Sequence, residues 1–269
     1  MPAAARAAAA PTWPTALVTG ASSGIGRAVA RALADEGSDL VVVARDQARL
    51  DELAAELSGE HGVAVEVLPA DLADPARLAA VEARLAQGDP PVDLVVNNAG
   101  FGTYGDLAGL DVDTEAREIA VNVTAVVRIT HAALRGMIPR GRGAVMNVSS
   151  MAGLQATPGN ATYGASKAFV ASFGEAVAGE LAGTGVTLTT VVPGYTRTEF
   201  HERAGVGGRQ IPAAAWMSPD DVAAAALAAT RAGRAWVVPG PLNKVLAAAA
   251  GPVPRGLKRR LAARVARRM

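Results

Sequence analysis

Seven short runs rich in Val, Leu and Thr, separated by longer amphipathic stretches, constrain this chain more than any other feature. They fall near residues 15–20, 39–45, 64–71, 92–99, 143–150, 186–194 and 235–239. Each is nearly continuous in apolar residues, as strands buried on both faces should be, and lacks the alternation of a strand with one wet face. The stretches at 24–36, 46–58, 75–87, 113–137, 163–182 and 219–231 read as helices. Strands alternating with helices predict an α/β fold: a doubly wound, seven-stranded parallel sheet in three αβα layers. A chain of 269 residues is long enough to bury one large core, and no linker divides it. The expected organisation is a disordered head at 1–12, one domain at 13–240, and a basic helical extension at 241–269.

The first run ends in Thr19-Gly20-Ala21-Ser22-Ser23-Gly24-Ile25-Gly26, directly before the first helix. Glycines there permit a tight turn, close backbone approach to a pyrophosphate, and close helix–strand packing. The helix N-terminus then presents free N–H groups and its dipole to the phosphates. Gly20, Ser22, Ser23, Gly24, Ile25 and Gly26 are therefore candidate dinucleotide contacts on a Rossmann-like frame. The spacing is GxxxGxG and not the commoner GxGxxG.

Tyr163 and Lys167 lie four residues apart on an expected helix and share one face. An unperturbed phenol ionises near pH 10, too high for acid–base work near neutrality. Lowering that by about three units needs roughly 4 kcal/mol, which an ammonium together with an oxidised nicotinamide could supply. Ser150 ends the fifth run, Asn122 lies in the helix before it, Asn97-Asn98-Ala99-Gly100 ends the fourth, and Pro193-Gly194 ends the sixth. The carboxyl ends of parallel strands form one edge, where ligands bind, so these motifs converge.

With these residues in place, the chain from about 15 to 239 resembles the short-chain dehydrogenase/reductase family. It matches the TGxxxGxG turn at 19–26, the NNAG segment at 97–100, and the tetrad Asn122, Ser150, Tyr163 and Lys167. The resemblance implies that Tyr163 exchanges a proton and Ser150 hydrogen-bonds the substrate oxygen. It implies that Lys167 lowers the tyrosine pKa and holds the nicotinamide ribose, while Asn122 supports a water-linked relay. By the same carry-over Asp71 meets the adenine, Asn98 the adenosine-side ribose and Thr198 the carboxamide. Leu72, Ala99, Gly100, Pro193, Gly194 and Thr196 complete the implied cofactor contacts. The implied activity interconverts a carbonyl and a secondary alcohol. Its rivals are a dinucleotide-sensing regulator with little turnover and a membrane- or carrier-docked ketoacyl reductase of a lipid pathway.

The second run closes in Ala44-Arg45-Asp46. An acid at its end would accept from the adenosine ribose hydroxyls and repel a 2′-phosphate, whereas an arginine can form forked contacts with that phosphate. Arg45 therefore points to NADP(H), with Asp46 expected to cap the next helix. NAD(H) follows instead if the strand runs on to Asp46.

Composition removes other chemistries. There is no cysteine, hence no disulfide, thiolate nucleophile or cysteine metal site. His61, His131 and His201 are widely spaced, so no metal centre is expected. The head, residues 1–10, is too short and broken by Arg6 to serve as a signal peptide, and no apolar run approaches the ~20 residues of a membrane span. The expected address is the cytoplasm. The region 196–218 shows no period and reads as a long mobile insertion. Phe101, Tyr104, Tyr163, Tyr195, Phe200 and Trp216, with Met151, Leu154, Ile211 and Met217, suggest an apolar pocket, loop aromatics of no special role being the alternative. His201 could touch a substrate there, though an exposed loop histidine is the plainer reading.

The charge is lopsided. Ten Lys/Arg and no Asp/Glu follow residue 221, and seven of the ten lie in 255–269 around Leu257, Leu261, Val265 and Met269 at four-residue spacing. Such a basic amphipathic helix fits either docking on its own or a neighbouring subunit or contact with an anionic membrane or acidic partner. The rest of the chain is acidic on balance, which gives nucleic-acid binding no support. Small residues along 163–182 (Ala165, Ala168, Ala171, Gly174, Ala178) suit close helix contact, so a homodimer or homotetramer is expected.

Overall fold

Parallel pairing throughout follows from the apolar runs, each of which needs cover on both faces. The computed structural model describes residues 11–204 and 212–250. The strands are β1 (Thr15–Thr19), β2 (Asp39–Ala44), β3 (Val65–Pro69), β4 (Leu94–Asn97), β5 (Gly143–Val148), β6 (Val186–Val191) and β7 (Trp236–Val237). They form one seven-stranded sheet in the order β3-β2-β1-β4-β5-β6-β7, every pairing parallel. The order reverses between β1 and β4, the switch point at which ligands bind in such sheets.

The helices are α1 (Gly24–Asp35), α2 (Gln47–His61), α3 (Pro75–Gln87), α4 (Val112–Ile119), α5 (Ala125–Arg140), α6 (Ala161–Glu180), α7 (Phe200–Arg203), α8 (Pro219–Arg231) and α9 (Pro241–Ala250). Several starts are written in the sequence. Asp46, Asp74, Asp111 and Ser218 accept from the first-turn amides of α2, α3, α4 and α8. Pro75 and Pro219 open α3 and α8, where a missing N–H is harmless.

The core has two halves, one on each face of the sheet. Leu33, Leu50, Leu53, Leu57 and Leu227 pack with Val18, Val42 and Met146 on one face. Leu78, Val81, Leu85, Ile129, Met137 and Val177 pack with Leu17, Val41 and Val145 on the other. Each such side chain gives about 1.5–3 kcal/mol on burial, so the three layers rest on the apolar runs and on one stripe of each covering helix.

The expected three-layer sheet is therefore observed, with shorter strands than their apolar runs, since the last residues of several runs turn out of the sheet toward the site. The region read as one helix at 113–137 is α4 and α5 joined by a π-helical turn, Ala120–Thr124. A hydrophobic period cannot register that one-residue widening. The aperiodic region 196–218 contains α7, a 3₁₀ turn (Ala213–Ala215) and a bridge pairing Thr196 with Met217. The first ten residues, Ile211 with the glycines before it, and the basic stretch 255–269 lie outside the described residues. Among the described residues no helix is long and apolar enough to cross a membrane.

Candidate active site

Every strand on the inner part of the sheet delivers one piece of the site at its carboxyl end. The glycine turn leaves β1 at Gly20, whose φ of +66° suits glycine. A Cβ on Gly26 would meet the Gly20 carbonyl oxygen at 2.3 Å and Asn98 Nδ2 at 2.4 Å, so this turn closes only with glycine there. Thr19 Oγ1 donates to the Val96 carbonyl at 3.1 Å and accepts from the amides of Asn98 and Ala99, both at 3.0 Å. Asn98 Nδ2 donates back to the Thr19 carbonyl at 3.0 Å. The NNAG segment and the glycine turn are thus one hydrogen-bonded unit across the switch point. The amide of Asn98 is committed to that unit, which leaves its oxygen as the atom free to meet a ribose hydroxyl. Asn97, in the core, donates to Asn147 Oδ1 and Thr130 Oγ1 and ties β4 to β5 and α5.

The tetrad residues come together. Asn122 sits in the π turn, fully buried, donating to the Phe101 carbonyl at 2.8 Å and to Ser166 Oγ at 3.1 Å. Lys167, also buried, donates from Nζ to the Val148 carbonyl at 2.9 Å, with Nζ 5.7 Å from the Tyr163 ring centre. Ser150 caps a 3₁₀ turn (Met151–Leu154), accepting from the Ala152 amide at 3.1 Å. A Cβ on Gly153 would meet the backbone of Lys167 at 2.6 Å, so the 3₁₀ turn that follows Ser150 packs directly on α6. The Tyr163 ring packs against Gly102 and against Phe200, whose ring centre is 5.2 Å away.

The electrostatics differ from the expectation that Lys167 pulls the phenol down. Burial pushes Tyr163 up to about 12; the Ser150 hydrogen bond opposes it and the negative charge of Glu118 adds to it. Burial likewise pushes Lys167 down to about 8, against a Glu118 charge that supports its protonated form. In the protein alone desolvation dominates the phenol, and the charge that reaches it is the negative one of Glu118.

Other expected residues are spread along the same edge. Asp71 accepts from the Ala73 amide and pairs with Arg117 at 2.9 Å, and Leu72 is buried beside it. Thr198 stands over Gly24, whose Cβ would meet Thr198 Cγ2 at 2.9 Å. Pro193 accepts at its carbonyl from the Met151 amide, and Thr196 Oγ1 donates to the Gly194 carbonyl at 3.1 Å. Arg45 is exposed just past the end of β2, and Asp46 caps α2 as expected, accepting from the Arg49 amide at 3.1 Å. Arg49 reaches across to Glu199 in the segment after β6, at 3.0 and 3.1 Å. His201 is half-buried in a cluster with Tyr195, Phe200 and Trp216, its ring 4.8 Å from the Trp216 ring, and so is not the exposed loop residue expected. A cavity of about 660 Å³ opens between Gly24, Arg27, Thr198, His201 and Trp216, on the glycine-turn side of the site and away from Tyr163.

Two residues beside the tetrad escaped the sequence reading. Glu115 and Glu118 are buried on α4 and hold Thr103 in the loop that covers Tyr163. Their signal was available: Glu118 precedes Asn122 by four residues and so shares its inward face.

Residues 14–206 match a protein family described as short chain dehydrogenase. Among curated proteins, sulfoacetaldehyde reductase 2 of Chromohalobacter salexigens is 41% identical over 186 residues, 68% of this chain and 73% of that protein. Among solved structures, a short-chain dehydrogenase from Sphingobium yanoikuyae in complex with NADPH is 38% identical with a TM-score of 0.81, covering 90% of this chain and 96% of that one. A bulky-bulky ketone specific alcohol dehydrogenase from Comamonas testosteroni is 31% identical with a TM-score of 0.76, covering 90% and 95%.

Proposed function

The chain belongs to the short-chain dehydrogenase/reductase family of oxidoreductases, and from that premise we propose that it interconverts a bulky, apolar carbonyl compound and its secondary alcohol with NADP(H), Tyr163 handling the proton. The observation that carries this reading is the Lys167 ammonium 5.7 Å from the centre of the Tyr163 ring, with Lys167 and Asn122 both buried. The glycine turn fits a dinucleotide, since side chains at Gly20, Gly24 or Gly26 would fill the space against Asn98 and Thr198. When bound, the nicotinamide supplies or takes the hydride and, oxidised, adds positive charge near the phenol.

In the reducing direction the Ser150 hydroxyl donates to the substrate oxygen and orients the carbonyl. Tyr163 gives its proton to that oxygen as the alcohol forms. Lys167, when protonated, favours the resulting phenolate, and Asn122 anchors the loop and helix that carry a relay to solvent. Phe200 packs on Tyr163 and leads through His201 to Tyr195 and Trp216, a run of aromatic rings that supports an apolar substrate. Arg45 supports NADP(H), because the nearest acid, Asp46, is occupied as a helix cap. Ile119 and Phe169, exposed on α4 and α6, support association of copies through those helices.

Consumption of NADPH with a panel running from small polar to bulky aryl ketones tests the proposal. Turnover concentrated among the bulky ketones is expected. Equal or better kcat/KM for small hydrophilic ketones overturns the substrate class, and no turnover with any carbonyl favours the regulatory reading.

A further inference from the structure

Glu118 is fully buried, and its two carboxylate oxygens are unequal. Oε2 accepts from the Thr103 amide at 3.0 Å and from its hydroxyl at 3.3 Å, whereas Oε1 has no hydrogen-bond partner among the described residues. A buried acid with an orphan oxygen is costly, and glutamine or methionine would fill the same volume at less cost. One turn earlier Glu115, nearly buried, accepts from the Thr103 hydroxyl at 2.5 Å and from the Thr162 hydroxyl. The single hydroxyl hydrogen of Thr103 therefore faces two carboxylates and can satisfy only one of them at a time.

Thr103, in the loop after β4, and Thr162, on α6, hydrogen-bond to this pair, and the π turn and α6 pack against α4. Arg117, on the same helix, pairs with Asp71. The charges that act on Glu118 are those of Glu115 and Lys167, and Glu118 in turn acts on both Lys167 and Tyr163. We propose that Glu118 is a positioning residue of the reaction: its buried charge, tied through Thr103 to Glu115, sets the pH window in which Lys167 stays charged and Tyr163 exchanges its proton. This rests on the functional reading above and goes beyond the tetrad.

Burial pushes Glu118 up to about 7, with Glu115 adding and Thr103 opposing, so its charge changes in the ordinary working range. Once ionised, it holds the proton on Lys167 and disfavours the phenolate of Tyr163. Removing it lets both groups release protons at lower pH.

Glu118→Gln, of nearly the same shape, is the test. Two quantities are measured: the rising limb of kcat/KM for alcohol oxidation against pH, and the tyrosinate absorbance of cofactor-bound protein, corrected with Tyr163→Phe in this chain of three tyrosines. Both midpoints should fall by roughly one pH unit, the size expected of one charge at this range under partial screening. Glu118→Asp, which restores the charge, should bring them back. A purely structural role would lower thermal stability and leave both midpoints in place, and that result overturns the proposal. If Glu118→Gln does not fold, Glu115→Gln serves. It should shift the lower inflection, the ionisation of Glu118 itself, to more acidic pH, and an unmoved inflection overturns the proposal. Should Tyr163→Phe keep its turnover, the functional reading fails instead, so the two failures are distinguishable.

Discussion

The side-chain amide of Asn98 donates to the carbonyl oxygen of Thr19 at 3.0 Å and to that of Gly20 at 3.3 Å. The end of β4 thereby fixes the shape of the turn that ends β1, and a dinucleotide resting on one necessarily rests on both. Disturbing the turn should then cost stability and binding together.

Gly26→Ala is the direct probe. Its added methyl would sit 2.3 Å from the Gly20 carbonyl oxygen, a backbone atom that cannot swing aside. Overpacking of this kind costs about 1–3 kcal/mol. Thermal unfolding should show that loss, and NADPH titration by fluorescence should show binding weakened well beyond it. A variant that binds with wild-type affinity would mean the turn does not cradle the cofactor.

Tyr163→Phe should bind NADPH normally and lose nearly all turnover, because only the transferable proton is removed. General acid–base catalysis is worth roughly 10²–10⁴ in rate. Retention of more than about a tenth of the wild-type kcat exceeds what that loss allows and would displace Tyr163 from its role.

Arg45→Ala should raise KM for NADPH strongly while leaving that for NADH almost unchanged, since the role proposed for this exposed guanidinium is to meet a 2′-phosphate. A wild-type kcat/KM higher with NADH than with NADPH contradicts the cofactor assignment.

Stability should fall as pH rises past Glu118. Its folded pKa, about 7, lies above the ordinary 4.5 because of burial. The folded state therefore holds the extra proton, and the contribution is full below 4.5 and lost as pH rises through about 7. Denaturant melts of wild type and Glu118→Gln at pH 4.5 and 8 isolate this effect from His201, whose pKa burial depresses and whose contribution runs the opposite way. The stability of wild type relative to the variant should drop by at most about 3 kcal/mol between the two. A constant difference would show that Glu118 does not titrate in the fold.

The three layers, the parallel sheet and the placing of Tyr163 and Lys167 on one helix were legible because each rests on local pattern: apolar runs such as 92–99, capping residues such as Asp46, and a Tyr–Lys pair at helical spacing. Less legible was whatever depends on contacts between distant segments. The π turn around Asn122 leaves the hydrophobic period nearly intact, yet it turns that side chain toward Phe101. The depth of burial around Tyr163 is set by Gly102 and Phe200, far apart in sequence, so the rise of its pKa could not be seen from Lys167 alone. Arg49 and Glu199 are 150 residues apart, and no spacing rule links them.

The two ends of the sheet carry a further consequence. β3 ends at Pro69, which has no N–H to donate, and bears Glu66, ion-paired to Arg84 at 2.7 Å. β7, at the opposite end, is two residues long. Both rims are therefore poor templates for a neighbouring strand, β3 being short, charged and proline-ended and β7 shorter still. The fold thus guards itself against edge-to-edge aggregation, although its strands are built from the β-branched sequence that amyloid-forming segments favour.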